Sequence, residues 1–153
     1  MKSGINRPEK GLRTVPWAHN MQNVDLYVAT EDGVHIYDAK THALKPHLSE
    51  DIRNLSAAQA APNEIKAESV PLNLIYVADL DPITKSTRKV ETSVAVSCIH
   101  TGLIVQSVCL FCSSEGLATV PRFRFDKKML ENKLGLKTNH YITLVQNVGY
   151  PKK

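Results

Sequence analysis

The sequence lacks several features that would assign it to a familiar class of protein. It has three cysteines, Cys98, Cys109 and Cys112, and this odd number argues against a disulfide framework and for a reducing compartment. No apolar run is long enough to predict a membrane span, and the polar amino terminus holds no apolar core of a secretory signal. These absences predict a soluble, cytoplasmic protein with no membrane partner.

Signals for metal, nucleotide and nucleic-acid binding are equally scarce. The six histidines show neither HxxxH nor HExxH spacing, which disfavours a metal site. The chain has no GxxxxGK(S/T), GxGxxG or GxSxG motif, which disfavours P-loop, Rossmann and α/β-hydrolase folds. Aromatic residues make up 6% of the chain and the basic residues are scattered, so an RNA-binding module is the weakest hypothesis and no nucleic-acid partner is predicted.

What the sequence does contain predicts one domain, 1–153, that includes several β-strands. Hydrophobic residues make up 42% of the chain, which is enough for a core without disulfides. Strands Val24–Thr30 and Val34–Tyr37 flank Glu31–Gly33, and the glycine predicts a tight hairpin turn. Further strands are predicted at 44–48, Leu72–Ala78, Leu117–Val120 and Tyr141–Val148.

Helical segments alternate with these strands. Three helices are predicted, and they cover Asp51–Ala61, Glu91–Glu115 and Lys127–Leu134. Asp126 is placed to cap the last helix with its carboxylate. Residues 1–22 show no period and predict an extended arm, and 79–89 predict a polar connection. This order of elements predicts an α+β fold.

Two irregular segments are candidate binding sites. Pro16–Gln22, "PWAHNMQ", places an asparagine amide, with one donor and one acceptor, where it could match the edge of a heteroaromatic ring. On pattern alone, a loop whose Asn and Gln satisfy nearby backbone is favoured over a ligand site. Glu115–Asp126 places Arg122, Arg124 and irregular backbone after a helix end, and a surface turn with solvated arginines explains that segment equally well.

Cys109 and Cys112 have the CxxC spacing of a thiol redox motif. In such a motif the first cysteine lies at a helix amino terminus, which lowers its pKa. Here the pair is predicted late in an apolar helix, so two buried, inert thiols are favoured. Cys98 is interpreted in the same way.

Taken in order, several stretches resemble the nitroreductase family of flavoproteins. "RTVPWAHNMQNVDLYVATEDGVHIYD" resembles the family's R-T-x-P-S-A-x-N-x-Q loop, strand and hairpin, and "PLNLIYVADL" resembles its next central strand. "HTGLIVQSVCLFCSSEGLATVPRFRFD" and "VGYPKK" resemble the long helix with its following strand and the end of the last strand. The hairpin resembles the branch that contains the thiazole/oxazole-forming dehydrogenases. The resemblance implies a central mixed, mainly antiparallel sheet flanked by helices, with one long central helix.

The resemblance also implies an FMN-dependent oxidoreductase that works as a homodimer. Such an enzyme passes hydride from NAD(P)H through FMN to a small-molecule electron acceptor such as a nitroaromatic or a quinone. The flavin carries the chemistry, so no catalytic side chain or metal is implied. By position, Asn20 would face the pyrimidine edge of the flavin and the terminal lysines its phosphate. The implied FMN contacts are Arg13, Pro16, Asn20, Gln22, Pro121, Arg122, Phe123, Lys152 and Lys153.

Departures from the family pattern bear on catalysis. The family's amino-terminal R-R-S-x-R, which binds the FMN phosphate, has no match in 1–8. Trp17 replaces a small residue, His100 stands where aspartate is usual, and Ser107 stands where asparagine is usual. The alternative hypothesis is therefore a non-catalytic module of this fold, which serves in binding or dimerisation and has lost efficient flavin binding.

Overall fold

A computed structural model describes residues 13–56 and 69–151 of the chain. Within these residues the strands are β1 Val24–Thr30, β2 Gly33–Asp38, β3 Ala43–Leu48, β4 Leu72–Asp79, β5 Ala118–Arg122 and β6 His140–Gly149. The helices are α1 Asp81–Thr87, α2 Val90–Ser114 and α3 Lys127–Lys133. The strands form one sheet in the order β3-β2-β1-β4-β6-β5, and each of these pairings is antiparallel. The predicted α+β fold with one long helix is confirmed.

The sheet separates two hydrophobic clusters because successive side chains of a strand point to opposite faces. Val24 and Val28 of β1 belong to the cluster that α2 covers, together with Ile104. Tyr27 and Ala29 of the same strand belong to the other cluster, which α3 covers. The central strand β4 contributes buried side chains to both clusters, as its continuous apolar run predicted.

Two local signals in the sequence correspond to observed turns and caps. Gly33 has a φ of 131°, and a Cβ at this position would lie 2.2 Å from the carbonyl oxygen of Leu48, so the hairpin requires glycine here. At the start of α3 the carboxylate of Asp126 accepts a hydrogen bond from the backbone N–H of Met129 at 3.0 Å. The predicted helix cap is therefore confirmed.

The prediction of a polar connection over 79–89 is wrong, because Asp81–Thr87 forms α1. Pro82 lies in the first turn of the helix. A backbone N–H at this position would make no hydrogen bond within the helix, so proline, which lacks one, is tolerated. The helix ends at Arg88, which has a φ of 56° and donates its N–H to the Thr84 carbonyl at 2.7 Å. Only Ile83 of this helix is buried, so seven residues carry no readable helical period.

The helix predicted over Asp51–Ala61 is also not found at its start. Only Arg53–Ser56 form a single 3-10 turn, and residues 57–61 lie outside the described residues. The carboxylate of Asp51 accepts from the N–H of Arg53 at 3.0 Å and from its guanidinium at 2.9 Å. Such local side-chain bonds to the backbone compete with an α-helix. Within the predicted extended arm, residues 1–12 lie outside the described residues and Ala18–Asn20 form a short 3-10 turn.

The cysteines of α2 divide into two kinds of environment. Cys112 is buried and Cys109 is half-buried, and burial raises the pKa of the Cys112 thiol, which is the opposite of activation. The interpretation of the CxxC pair as inert is consistent with this placement. Cys98, however, is exposed, so its interpretation as a buried thiol is wrong. It lies beside Ile99 on a face of α2 that the sheet does not cover.

By length and composition alone, α2 is apolar enough to cross a membrane, and among the described residues it is the one helix of this kind. The sequence-based statement that no segment reaches that length is therefore wrong. In the structure the helix packs on the sheet through paired polar groups. Thr101 Oγ1 lies 2.8 Å from Thr143 Oγ1 of β6, for example. The core helix of a water-soluble domain passes the same test, which makes it weak support for a membrane span.

Candidate functional site

A cavity of about 410 Å³ opens beside the edge strand β5. Its size suits a small-molecule ligand or cofactor. The walls come from β5, from the end of β6 and from the segment that precedes β4, and they bring together residues that are distant in the sequence. The lining residues are Ser69, Val70, Pro71, Ala118, Thr119, Val120, Arg122, Asn147, Gly149, Tyr150 and Pro151.

A chain of polar side chains forms one wall of this cavity. Arg122 Nε donates to Asn147 Oδ1, and Asn147 Nδ2 donates to Asn73 Oδ1 on the next strand. Asn73 and Asn147 are buried, and Asn73 Nδ2 donates to the Arg53 carbonyl at 3.3 Å. The side chain of Arg53 is itself held by Asp51. Each buried amide therefore has partners, and the chain places a guanidinium at the cavity.

A second chain of polar side chains fixes Thr119 of β5. Tyr76 Oη donates to Gln146 Oε1 at 2.6 Å, and Gln146 Nε2 donates to Thr119 Oγ1 at 2.9 Å. The Thr119 hydroxyl in turn donates to the Asn147 carbonyl at 2.8 Å. Burial raises the pKa of Tyr76, so its hydroxyl remains a donor at neutral pH. The cavity wall is thus pre-organised by the core beneath it.

The other candidate segment, the loop Pro16–Gln22, lies against the first half of α2. Three of its residues have positive φ, namely His19 at 50°, Asn20 at 53° and Gln22 at 46°. Such a conformation costs about 1–3 kcal/mol for a residue other than glycine, although asparagine tolerates it best. Gln22 Nε2 donates to Asn20 Oδ1 at 2.8 Å, which orients the exposed Asn20 amide. Strain of this kind is typical of functional loops.

Arg13 braces the start of this loop. Its Nη1 donates to the Val24 carbonyl at 3.1 Å, and its guanidinium carbon lies 5.2 Å from the centre of the Trp17 ring. Burial lowers the pKa of Arg13, and the Coulomb attraction of Asp25 acts in the opposite sense. Among the described residues, the buried Nε of Arg13 and Nε1 of Trp17 have no hydrogen-bond acceptor. The loop therefore carries two donors that a ligand or a second chain could satisfy.

The loop and the cavity lie in different parts of the chain's surface. In register, Val28, Leu74, Gln146 and Pro121 form one row across four strands, while the loop joins β1 at Val24. Four residues along a strand and three strand spacings separate Val24 from Pro121 by about 20 Å. Along α2, His100 touches the loop and Cys109 lies near Gln146, nine residues or about 14 Å further on. A single chain does not bring the two segments around one ligand.

Of the site residues expected on the cavity side, Arg122 lines the cavity. Pro121 is exposed on the edge strand and is not among the lining residues, and Phe123 is 82% exposed just beyond the strand. The lysines at 152–153 lie outside the described residues, but the preceding Pro151 lines the cavity. On the loop side, Pro16 and Asn20 are exposed.

Sequence reasoning missed several residues of the cavity. Ser69–Pro71 precede β4 without any motif, and nothing in the sequence joins them to β5. Asn147 carried a usable signal, because an asparagine inside the apolar strand "ITLVQNVG" must find buried partners. Tyr150, which is 80% exposed and lines the cavity, was visible only as part of "VGYP".

The outer face of α2 forms an apolar stripe of Ile99, Leu103 and Leu110, which are 63%, 39% and 63% exposed. Over the first half of the helix, the face toward the sheet carries buried polar residues, Ser97 and His100 among them, whereas the outer face is apolar. Of the residues in its most apolar window, 28% are buried. A spacing of four and seven residues puts the exposed side chains on one face, and an apolar stripe of this kind indicates an interaction surface.

The comparison with known proteins is consistent across sequence and structure. The sequence pattern of the Nitroreductase family matches residues 9–150. A Ralstonia eutropha protein assigned as a nitroreductase superposes with a TM-score of 0.85 at 25% identity, over 99% of this chain and 69% of that one. Among curated proteins, no match is found.

Two further structures extend the likeness of fold. The Escherichia coli microcin synthetase McbBCD complex contains a chain with a TM-score of 0.81 at 14% identity, over 96% of this chain and 59% of that one. A Staphylococcus epidermidis protein assigned as an NAD(P)H:FMN oxidoreductase has a TM-score of 0.65 at 14% identity, over 91% of this chain and 71% of that one. At these identities the likeness shows the fold alone.

The antiparallel sheet, the long helix and these superpositions define the class as α+β proteins of the nitroreductase fold. The match over residues 9–150 is more specific, and the chain belongs to the nitroreductase family. Membership of this family supports a general role as an oxidoreductase.

Proposed function

We propose that the protein is an FMN-dependent oxidoreductase that passes hydride from NAD(P)H to a small-molecule acceptor such as a nitroaromatic or a quinone. The observation that carries this proposal is the cavity of about 410 Å³ beside β5, which combines cofactor size with a fixed guanidinium. The chain's membership of the nitroreductase family supports the same chemistry. When bound, FMN would supply the hydride transfer.

The residues around the cavity fit the parts of FMN. Val120 and Pro151 offer apolar surface for a ring, and Arg122 offers positive charge for an anionic group. Lys152 and Lys153 follow Pro151 directly and are proposed to bind the phosphate. Pro121 and the backbone of Phe123 are proposed to cover the ring from the edge strand.

The loop residues are proposed to complete the site from a second copy of the chain. Asn20, with Pro16, Gln22 and the brace Arg13, precedes β1, and the start of β1 at Val24 lies about 20 Å from Pro121 on the cavity side by strand geometry. A two-fold dimer can place the loop of one subunit against the cavity of the other. The apolar stripe of α2 supplies a surface for such a dimer, because three large hydrophobic side chains on one face of this helix are exposed in the single chain, namely Ile99, Leu103 and Leu110.

A titration of purified protein with FMN tests the proposed function. Bound FMN should change the visible absorption and fluorescence of the flavin, and the complex should oxidise NADH or NADPH when a quinone or nitroaromatic is present. Val120→Trp should fill the cavity and abolish binding, whereas Leu44→Trp on β3, a similarly exposed apolar position, should not. A folded protein that binds no FMN at high micromolar concentration would favour the alternative, a non-catalytic binding or dimerisation module.

Mixed dimers test whether each site is shared between subunits. Asn20→Asp alters the loop and Val120→Trp blocks the cavity, so each homodimer has two defective sites. In a mixed dimer with shared sites, one site carries both defects and the other carries none. Mixing the two variants should therefore give the wild-type midpoint potential at about half of the mixed dimers' sites, which neither homodimer shows. If each site belongs to one chain, every site keeps one defect and mixing restores nothing.

A further inference from the structure

His100 is a buried histidine whose two ring nitrogens are both occupied. It is 3% exposed. The backbone N–H of Ala18, in the loop, donates to His100 Nε2 at 2.9 Å. On the other side of the ring, His100 Nδ1 lies 2.9 Å from Asn23 Oδ1. The imidazole thus bridges the loop and the residue that directly precedes the first strand.

These partners allow one protonation state. A backbone N–H can only donate, so His100 Nε2 must be the unprotonated acceptor. Asn23 Nδ2 donates to Ser97 Oγ at 2.8 Å and to the Asp79 carbonyl at 3.1 Å, which leaves its Oδ1 facing the histidine. His100 Nδ1 therefore carries the hydrogen, and the ring is neutral.

A second proton on this ring would break its contact with the loop. The new hydrogen on Nε2 would point at the Ala18 N–H, and two donors cannot form a hydrogen bond. Burial lowers the pKa of His100, because the site disfavours the charged ring. The neutral, anchored form therefore predominates at about pH 6.5, the ordinary value for histidine, and is lost as the pH falls through the lowered pKa.

The charged groups around His100 do not supply a partner for its cation. The titratable groups on the neighbouring elements are, in the arm, Arg13, which lies over the Trp17 ring, and His19, and, on the strands, Asp25 and Asp79. The Asp79 carboxylate accepts from the Asp81 N–H at 3.0 Å and from Asn139 Nδ2 at 2.9 Å, and Asn23 reaches only its carbonyl. On α2 itself, the side chain one turn before His100 is that of Ser97, which is uncharged. Among the described residues, both ring nitrogens face neutral groups.

The loop depends on this anchor because its own conformation is unfavourable. Three of its residues have positive φ, and their strain must be offset by contacts elsewhere. Besides the hydrogen bond to Ala18, the Trp17 ring packs on the His100 ring with their centres 4.9 Å apart. Loss of both contacts would remove the hydrogen bond and the ring packing that hold the strained turn Ala18–Asn20 against α2.

We propose that His100 is a positioning residue. Its neutral ring holds the strained loop Pro16–Gln22 in place, and its protonation releases the loop. The release would move Asn20, and flavin affinity would then fall with pH. That last consequence rests on the proposed function, whereas the release of the loop does not.

Trp17 is the single tryptophan of the chain, so its fluorescence reports directly on the contact. Wild-type protein titrated from pH 8 downward should show a reversible change in tryptophan fluorescence with a midpoint below about 6.5, while the far-ultraviolet circular dichroism stays constant. His100→Gln keeps an acceptor that does not titrate and should abolish the change. His19→Gln, in the same loop, should leave it intact.

Affinity for FMN provides the second readout. In the wild type the dissociation constant should rise by about tenfold as His100 becomes protonated, which corresponds to the loss of one hydrogen bond and one ring contact. In His100→Gln it should stay constant over the same pH range. If FMN binds at no pH, the proposed function fails, and the fluorescence of Trp17 still decides the release of the loop.

Two results would overturn the proposal. One is a fluorescence change that persists in His100→Gln, and the other is a wild type that remains folded without any change down to about pH 4.5, two units below the ordinary value. If His100→Gln does not fold, ¹⁵N chemical shifts of the wild-type imidazoles decide instead. They should show the Nδ1–H tautomer for His100 at neutral pH, and the Nε2–H tautomer there would refute the argument.

Discussion

The apolar stripe on α2 makes a quantitative prediction about assembly. We expect the wild type to form a homodimer at micromolar concentration and the double variant Ile99→Glu/Leu110→Glu to be monomeric at the same concentration. Each of these two side chains is 63% exposed in the single chain. Both belong to the outer face of the helix, so the substitutions leave the packing of α2 on the sheet unchanged.

The size of the effect follows from the exposed surface. Burying a whole Ile or Leu side chain contributes about 1.5–3 kcal/mol, so the part still exposed here would contribute about 1–2 kcal/mol for each side chain. A two-fold interface contains both residues from both copies, which gives about 4–8 kcal/mol for the four side chains. The dimer dissociation constant should therefore rise by about a thousandfold or more, before the cost of burying the new carboxylates is added.

Sedimentation velocity or light scattering over a concentration series measures this constant. Leu44→Glu is the matched control, since Leu44 is 51% exposed on β3, at the opposite edge of the sheet from β5. It should dimerise as the wild type does. The monomeric double variant should also lose FMN affinity, because the proposed site needs two subunits. A wild type that is monomeric at micromolar concentration, or a double variant with an unchanged constant, would refute the reasoning.

Three further outcomes are expected. Lys152→Ala/Lys153→Ala should weaken FMN binding by more than about tenfold in equilibrium titrations, as loss of a charged hydrogen bond does. The control is Lys85→Ala, at an exposed lysine of α1. If the double variant weakens binding no more than this control does, the terminal lysines are not part of the site. Asn20→Asp should lower the flavin midpoint potential by at least about 30 mV, or about 1.4 kcal/mol of repulsion in a two-electron couple. Asn20→Ala should shift it less in the same spectroelectrochemical titration. An unshifted potential in flavin-loaded Asn20→Asp would show that the loop does not contact the flavin ring. Asp126→Ala should reduce the free energy of unfolding by about 1 kcal/mol in urea, and Asp126→Asn, which keeps the acceptor, should not; equal stability of wild type and Asp126→Ala would exclude the cap.

The elements that sequence patterns predicted are those whose cause is local. The hairpin of β1 and β2 follows from the alternation of "VDLYVAT" and from Gly33, whose φ of 131° favours glycine. The strand β4 follows from a short, continuous apolar run. Asp126 is a cap because its carboxylate reaches an N–H three residues further on. In each case the residues that decide the structure are neighbours in the chain.

The parts that escaped prediction depend on distant partners. The short helix α1 buries only Ile83, so its period is invisible until the sheet and α2 are in place. The cavity joins Ser69, Val120 and Tyr150, which no pattern connects. The exposure of Cys98 was missed because polar side chains of α2 face the sheet while apolar ones lie on its outer face, which is the reverse of the usual pattern.

Trp17 and His100 depart from the family pattern at positions 83 residues apart, and in the structure they form one contact. The ring centres lie 4.9 Å apart, and the N–H that follows Trp17 donates to the His100 ring. An aspartate at position 100 could accept from the same N–H, but it would offer no ring surface for an indole. A small residue at position 17 would leave the imidazole unpacked. The two residues therefore form one paired contact behind the loop, in which burial lowers the pKa of His100 and keeps its ring neutral at neutral pH.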